Sequence, residues 1–204
     1  MDDRKVCIMG LGYIGLPTAA LLANRGYSVR GVDISRKVVD IVNSGGIHIK
    51  EPDLDTFVRS AVRSEKFRAY TKPGKADVFI IAVPTPFHKG HVPNIDYVVS
   101  ATRSIAPHIE KGNMVVLEST SPIGTTERVR DILAGEGLDA SEIFIAYCPE
   151  RVLPGRIMIE LIENDRIVGG INEMSARKVA EFYKSFVTGE VFVTDSKTAE
   201  MAKL

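Results

Sequence analysis

The stretch Lys5–Pro17, KVCIMGLGYIGLP, decides the fold. An apolar run typical of a buried strand precedes Gly10, Gly12 and Gly15, and an apolar helical segment, 16–23, follows them. In this setting the first glycine allows a tight turn, the second lets the backbone approach a pyrophosphate, and the third lets the helix pack close to the strand. The helix N-terminus offers unpaired N–H groups to the anion. The pattern predicts a dinucleotide-binding β-turn-α unit.

An acidic residue lies where such a unit needs one. Asp33 ends the second predicted strand and follows Gly15 by 18 positions, close to the roughly 20 typical of a carboxylate that binds ribose hydroxyls. An anionic group there repels a 2′-phosphate, which favours NAD over NADP, although Arg36 lies nearby. The alternative is a glycine turn followed by a solvent-facing Asp33 that caps the next helix. The predicted cofactor contacts in this part of the chain are Gly10, Gly12, Tyr13, Ile14, Gly15, Asp33 and Arg36.

Short apolar runs alternate with helix-period segments along the whole chain, the pattern of β-α units that build a parallel sheet. Helices are predicted after Asp53, Asp96 and Asn172, with Asp53 as an N-cap. The predicted fold is α/β, with a doubly wound, mostly parallel, Rossmann-like sheet and a truncated C-terminal helix. The strands are predicted at 6–9, 29–32, 78–83, 114–117, 143–146, 167–169 and 191–193.

The last residues predict the start of another helix. The segment 194–196 has the composition of a strand exit with a cap, and SKTAEMAKL, 196–204, begins a helix that lacks a C-cap. We therefore expect a nucleotide-binding domain at 1–194 and the start of a connecting helix at 195–204 in a chain whose natural form continues.

Composition argues against several classes of partner. Lys plus Arg equals Asp plus Glu at 26 each, so no net positive field recruits nucleic acid or an acidic membrane. The short apolar runs and the charged start, MDDRK, predict no membrane span, no signal peptide and a cytoplasmic location. His88 and His91 lie in a polar, glycine-bearing segment with no acidic or cysteine partner at metal spacing. We expect a solvated loop there and no metal site.

Ligands of doubly wound sheets bind beyond the carboxyl ends of the strands, and hydroxyls on proline-rigidified turns follow two of the later runs. Pro84-Thr85-Pro86 follows one, and 118–125, ESTSPIGT, follows the next. These hydroxyls suit a cofactor or a hydroxylated substrate. The alternative is that Thr85 and Thr125 satisfy turns or cap helices.

The stretch 147–156, YCPERVLPGR, follows another predicted strand, and its two prolines predict a rigid loop at the same edge. Cys148 has no histidine at a catalytic spacing, which predicts a packing role for this thiol and not a nucleophilic one. Cys7 lies inside an apolar run, and the two cysteines form neither a disulfide framework nor a metal spacing.

Seven motifs occur in a recognisable order: GLGYIGLP, VDIS, VPTP, ESTSPIGTT, YCPERVLPG, NDRIVGG and AEMAKL. On these motifs nearly all of the chain resembles the N-terminal half of the UDP-glucose/GDP-mannose dehydrogenase family. The sequence ERVLPG followed by ENDRIVGG most resembles the UDP-N-acetyl-D-mannosamine dehydrogenase branch. The resemblance implies oxidation of the C6 alcohol of a UDP-sugar to a carboxylate, by two successive hydride transfers to NAD. Another UDP-sugar (UDP-N-acetylglucosamine, UDP-N-acetylgalactosamine or UDP-glucose) and a free-standing NAD-binding module remain open as alternatives.

The resemblance also implies residue roles. Thr120 matches an active-site threonine that orders a water, and Glu150 matches a proton-handling carboxylate. Lys203 matches a lysine that stabilises a developing oxyanion, a role that suits an ammonium in a partly dry site. The remaining roles implied are ribose binding by Asp33, cofactor contacts by Pro84, Thr85 and Thr120, and a sugar site shaped by Glu150, Arg151, Val152 and Leu153.

Two departures limit what the resemblance implies. Pro154 occupies the position of a second glutamate in the glucose branch, so that role does not transfer. The family's nucleophilic cysteine and an asparagine four residues after Lys203 fall beyond position 204. The chain alone is therefore expected to bind NAD without completing the oxidation. Because the family dimerises through a long helix of which 196–204 is the start, the full-length protein is expected to be a homodimer and the chain alone a monomer or weak dimer.

Overall fold

The structure, a computed structural model, describes residues 4–204; residues 1–3, which open the charged stretch considered above, lie outside the described residues. Eight strands and eight α-helices alternate along this part of the chain. They are β1 (Lys5–Met9), α1 (Gly15–Asn24), β2 (Ser28–Val32), α2 (Arg36–Asn43), α3 (Leu54–Arg63), β3 (Phe67–Tyr70), β4 (Val78–Ile81), α4 (Asp96–Ile105), β5 (Met114–Leu117), α5 (Thr125–Gly135), β6 (Phe144–Tyr147), α6 (Ile157–Glu163), β7 (Arg166–Gly170), α7 (Glu173–Lys184), β8 (Val191–Asp195) and α8 (Ser196–Met201).

The strands form one sheet in the order β3-β2-β1-β4-β5-β6-β7-β8. All neighbouring pairs from β3 to β6 are parallel, β7 is antiparallel to β6, and β8 is parallel to β7. The chain builds outward from β1 to β3 and then returns to place β4 on the other side of β1. The switch point therefore lies between β1 and β4, where doubly wound sheets bind their ligands. The predicted fold class is confirmed.

Side chains of successive strand residues enter two apolar clusters, one on each face of the sheet. Val6 and Ile8 of β1 pack with helices α1, α3, α6 and α7, whereas Cys7 and Met9 pack with α4 and α5. A strand covered on both faces is apolar at every position, which is why the central runs show no alternation in sequence.

All seven predicted strands are present, and one strand was missed. Edge strand β3, FRAY, alternates buried and exposed residues and contributes only two buried side chains, Phe67 and Ala69, so it gives no continuous apolar run. The strand predicted at 78–83 is shorter in the structure and ends at Ile81. Similarly, β6 begins at Phe144, one residue later than predicted.

The helix boundaries show which capping signals were reliable. Asn172 accepts from the Ser175 backbone N–H at 2.8 Å and caps α7 as predicted. Asp53 is the N-cap residue of α3 as predicted, but it lies in the left-handed region (φ 63°) and its carboxylate makes no capping hydrogen bond. Asp195 caps α8 through the Thr198 N–H at 3.0 Å, and the helix ends at Met201, short of Leu204.

Candidate active site

Two adjoining cavities, of about 880 and 410 Å³, form one cleft over the switch point. We call them the outer and the inner cavity. Both are lined by Gly10, Asp33, Val83 and Pro84, which lie at the carboxyl ends of β1, β2 and β4. The predicted contacts Gly12, Tyr13, Ile14, Thr85, Thr120 and Glu150 all line the inner cavity. The topology thus brings most of the predicted site residues to one place.

The glycine loop has the backbone geometry that a pyrophosphate needs. Gly10 has φ +94°, and a Cβ atom there would lie 2.7 Å from the Ala82 carbonyl oxygen. A Cβ on Gly15 would lie 1.8 Å from the Gly10 carbonyl oxygen, so only glycine allows α1 to start this close to β1. A Cβ on Gly12 would meet nothing within 4 Å, which leaves that backbone open to a ligand in the inner cavity.

Asp33 holds the loop and faces both cavities. One carboxylate oxygen accepts from the Leu11 backbone N–H at 3.1 Å and the other from the Ser35 N–H at 2.9 Å. Each oxygen keeps lone pairs for ribose hydroxyls, so the residues present fit a dinucleotide. Arg36 pairs with Asp40 at 3.0 Å, has a largely exposed side chain and lines neither cavity.

The outer cavity contains residues that the sequence argument missed. Ile34, 90% exposed, directly follows the ribose carboxylate, and Tyr97, Ser100 and Ser104 line the opposite wall. Tyr97, Ser100 and Ser104 are spaced i, i+3 and i+7, so they share one face of α4. This face lies next to the face that packs on the sheet. His108 completes this wall. The i, i+3, i+7 spacing of these three residues was visible in the sequence and could have predicted this wall of the cavity.

The reversed direction of β7 creates an ion pair at the inner cavity. Because Tyr147 pairs with Gly169 and Ala146 with Gly170 in an antiparallel register, the first residue of β7 comes to the edge where β6 ends. There the Arg166 guanidinium donates to the Glu150 carboxylate, with side chains only 2% and 3% exposed, and also to the Leu161 carbonyl at 2.6 Å. Burial disfavours the charged guanidinium, but the Glu150 carboxylate outweighs it and holds the pKa of Arg166 above its usual range.

A second buried carboxyl lies beside this pair. The Tyr183 hydroxyl donates to Glu118 Oε1 at 2.6 Å, whereas Oε2 is buried without a hydrogen-bond partner among residues 4–204. Burial, and secondly the negative charge of Glu150, raise the pKa of Glu118 to about 7, against the lowering effects of Tyr183 and Arg166. Glu118, Arg166 and Tyr183 are not among the site residues predicted from the sequence. Two features of the sequence could have indicated them: Glu118 directly follows a buried strand, and Arg166 is the first residue of another.

Helix α8 brings Lys203 to the same place. The Lys203 ammonium donates to the Glu150 carbonyl oxygen, and burial lowers the pKa of Lys203. The helix is fastened by Glu200, which is fully buried and accepts from the Gly124 N–H at 2.6 Å and from the Thr126 N–H at 2.7 Å. Glu200 thus joins the helix that carries Lys203 to the start of α5, just after the loop that carries Thr120.

The loop after Glu150 is held from behind. Glu51 accepts from the Gly155 and Ile157 N–H groups at 2.9 and 2.8 Å, and Glu160 accepts from the Leu153 N–H at 2.8 Å. These hydrogen bonds anchor the loop at three backbone N–H groups. Three predicted substrate contacts, Arg151, Val152 and Leu153, line neither cavity, and the Leu153 side chain is 62% exposed.

Cys148 is fully buried, and burial, the largest of several influences, raises its thiol pKa. These features match the packing role predicted for it. Elsewhere, His88 and His91 lie on the exposed loop that was expected. Among the described residues, no group of three or more histidine, cysteine or acidic side chains is arranged to hold a metal ion. No helix between residues 4 and 204 has the length and apolarity needed to cross a membrane.

A glycine loop and a ribose carboxylate at the switch point of a doubly wound sheet, with acid-base groups across the cleft, define a nicotinamide-dinucleotide-dependent oxidoreductase. Comparison with known proteins narrows the class. Residues 4–187 match the UDP-glucose/GDP-mannose dehydrogenase family, NAD binding domain. The chain belongs to this family and carries its NAD-binding domain.

Similar proteins are known in sequence and in structure. The UDP-N-acetyl-D-mannosamine dehydrogenase of Campylobacter jejuni is 53% identical over 98% of this chain and 52% of its own length, and that of Escherichia coli K12 is 51% identical over 100% and 51%. The UDP-N-acetyl-mannosamine dehydrogenase Cap5O from Staphylococcus aureus superposes with a TM-score of 0.95 at 41% identity, over 98% of this chain and 50% of that one. The chain therefore spans about half the length of the relatives it matches.

Proposed function

We propose that the chain is the NAD-binding part of a dehydrogenase that oxidises the C6 alcohol of UDP-N-acetyl-D-mannosamine to the uronate. The observation that carries this proposal is the convergence of Thr120, Glu150 and Lys203 on one end of a dinucleotide cleft. The names of the C. jejuni, E. coli and S. aureus relatives support the choice of substrate.

NAD, when bound, supplies the hydride acceptor; the chain's own residues bind, orient and manage protons. The backbone of Gly10, Gly12 and Gly15 and the N-terminus of α1 hold the pyrophosphate, and Asp33 holds the adenosine ribose. Pro84, Thr85 and Thr120 flank the inner cavity on the side of β4 and β5. Tyr13 and Ile14 of the glycine loop line the inner cavity and contact the cofactor there. Arg36 is a peripheral contact only, because it pairs with Asp40.

The three catalytic roles follow from chemistry and position. The Thr120 hydroxyl is exposed to the cavity and orders a water there. Glu150 pairs with Arg166 and takes part in proton transfer. The Lys203 ammonium, partly buried, stabilises the alkoxide that forms as the alcohol loses its proton. Arg151, Val152 and Leu153 contact the sugar only if further residues of the full-length protein close over them.

We extend the proposal to the whole protein. Residues 1–194 form the NAD-binding domain, and 195–204 start a connecting helix through which the full-length protein forms a homodimer. A cytoplasmic location is supported by two cysteines that are buried and unpaired.

A relative with a different substrate name provides a second candidate. The NDP-N-acetyl-D-galactosaminuronic acid dehydrogenase of Ralstonia nicotianae is 49% identical over 100% of this chain. Both candidate sugars carry an N-acetyl group, and they differ in configuration at C2, which bears that group, and at C4, which bears a hydroxyl. The sequence identities to the two mannosamine dehydrogenases, 53% and 51%, exceed the 49% to this relative only slightly, so identity favours the mannosamine substrate only slightly.

The test compares substrates on the full-length protein. NADH formation is measured with UDP-N-acetylmannosamine, UDP-N-acetylgalactosamine, UDP-N-acetylglucosamine and UDP-glucose, and the first is expected to give the highest kcat/KM. The variant Thr120→Ala is expected to lose turnover by a much larger factor than it loses affinity for NAD. The 204-residue chain alone is expected to bind NAD in calorimetry and to form no uronate. A preference for UDP-glucose, or uronate formation by the chain alone, would contradict the proposal.

A further inference from the structure

Glu118 is a buried carboxyl for which the proposed roles of Thr120, Glu150 and Lys203 leave no function. It is 4% exposed, lines the inner cavity together with Thr120 and Glu150, and has one oxygen without a partner. A carboxylate buried in this way carries a large desolvation cost, whereas a neutral carboxylic acid does not. The unpaired oxygen is therefore the atom at which a proton binds when the carboxyl is neutral.

The charged groups around the two carboxyls decide which one carries the proton. Glu150 faces the Arg166 guanidinium, which comes from β7 and forms a buried ion pair with it. Glu118 faces the Tyr183 hydroxyl from α7 and the Cys148 thiol from the end of β6, both neutral, and has Arg166 only as a weaker influence. Two acids near each other do not both ionise freely.

We propose that Glu118 exchanges a proton with the inner cavity and serves as the proton store of the oxidation, as a carboxylate before the alcohol is oxidised and as the neutral acid afterwards. This inference rests on the proposed function. In the alcohol oxidation step the substrate C–H bond breaks and its electron pair leaves as hydride to NAD. The O–H bond breaks, its electron pair forms the carbonyl, and the proton ends on the Glu118 carboxylate, which becomes the neutral acid. Because Glu118 lines the inner cavity and accepts the reacting proton there, its role is catalytic and not one of positioning.

The direct test is an infrared pH titration of the full-length protein without sugar substrate. The wild type is expected to show a protonated-carboxyl band that disappears as the pH rises through about 7. The isosteric variant Glu118→Gln is expected to lack this band. The surface variant Glu173→Gln, which removes an exposed partner of Arg177, is expected to keep it. Persistence of the same band in Glu118→Gln would overturn the proposal.

Two further variants are expected to move the midpoint in opposite directions. Tyr183→Phe removes a hydrogen bond that stabilises the ionised form, so the midpoint rises; Glu150→Gln removes the neighbouring negative charge, so it falls. A Glu118 that stays ionised throughout the titration would produce neither shift. Both variants also keep the test usable if Glu118→Gln fails to fold, and unchanged midpoints in both would overturn the proposal.

The kinetic counterpart is the pH profile of kcat/KM, which reports groups of the free enzyme. The wild type is expected to gain activity as the pH rises through about 7, because the carboxylate is the accepting form. Glu118→Gln is expected to lose this limb, and a limb unchanged in that variant would contradict the proposal. The infrared titration does not depend on which sugar is oxidised, so failure of the substrate proposal and failure of the proton store are separately visible.

Discussion

The Glu200 carboxylate caps the N-terminus of α5 by accepting from both the backbone N–H and the hydroxyl of Thr126, at 2.7 and 2.6 Å. These residues are 74 positions apart in sequence, so the contact ties the end of the described chain to the middle of the sheet. Unpaired N–H groups at a helix start favour an anion. The position of Lys203 therefore depends on a helix cap.

Replacing the cap is expected to reduce both stability and order at α8. Glu200→Ala leaves buried donors of α5 without a partner, and we expect a loss of about 3 kcal/mol in the free energy of unfolding. Glu200→Gln, which keeps one acceptor oxygen, is expected to lose about half of that. Urea denaturation measures the free energy of unfolding of both variants. The exposed control Glu181→Gln, whose partner is Lys178, is expected to change stability by less than about 0.5 kcal/mol.

Removing the ribose carboxylate is expected to weaken cofactor binding. Asp33→Ala loses charge-assisted hydrogen bonds to the ribose, so the Kd for NAD should rise by about 10- to 100-fold in calorimetry. NADP binding should weaken less, because the repulsion of its 2′-phosphate is also removed. Asp40→Asn, on the exposed side of α2, serves as the control. An equal loss for both cofactors would argue against a ribose role.

Breaking the buried ion pair is expected to cost more than removing it altogether. Arg166→Met leaves the Glu150 charge buried and unpaired, with an expected loss of about 3–5 kcal/mol. The double variant Arg166→Met with Glu150→Gln should recover part of this loss, because no uncompensated charge remains. Urea denaturation of the four proteins of the cycle gives the coupling. Additive effects would show that the two groups do not interact.

Stability is expected to depend on pH through Glu118. Its pKa is raised from 4.5 to about 7 on folding, so the folded state binds the proton more tightly than the unfolded state. As the pH rises from about 4.5 to 7 the unfolded carboxyl ionises first, and the wild type loses up to about 3 kcal/mol relative to Glu118→Gln, with no further change above that range. Denaturation midpoints at several pH values check this. A constant difference between the two proteins would contradict the burial of an ionisable Glu118.

The two thiols are expected to be unreactive in the folded protein. Burial, the largest influence in each case, raises the thiol pKa of Cys148 and raises that of Cys7 to about 11, so little thiolate is present at pH 8 and neither sulfur is accessible. In the 204-residue chain, a chromogenic disulfide reagent should titrate no thiol before urea is added and both thiols afterwards. Rapid labelling of Cys148 in the native protein would restore it as a candidate nucleophile.

The sequence predicted the central sheet and the cofactor loop well, because each depends on local features. Strand β1, three glycines and Asp33 carry their spacing within 29 residues, counting from Lys5 to Asp33. The proton-handling cluster was harder to predict, since it is assembled by pairing between strands. Arg166 meets Glu150 only because β7 runs antiparallel to β6, and nothing in the NDRIVGG motif specifies strand direction.

Tyr183 shows a second limit. Its apolar spacing on α7 correctly predicted burial, but the same ring carries a hydroxyl whose partner, Glu118, is 65 positions away. Strand β3 shows a third, because an edge strand with two inward side chains gives too short an apolar pattern. In each case a contact distant in sequence, and not local propensity, determines the structure.

The reversal of β7 also bears on the order in which the site forms. Glu150 and Arg166 are 16 positions apart, so the β6-α6-β7 segment closes a short loop at a small entropic cost. Lys203 reaches Glu150 across 53 positions, and only after α8 has docked against α5. We therefore expect amide hydrogen exchange to show β6 and β7 protected more strongly than α8. Lys203 would then be the last of the three proposed catalytic residues to reach its position during folding and the first to be released by local opening.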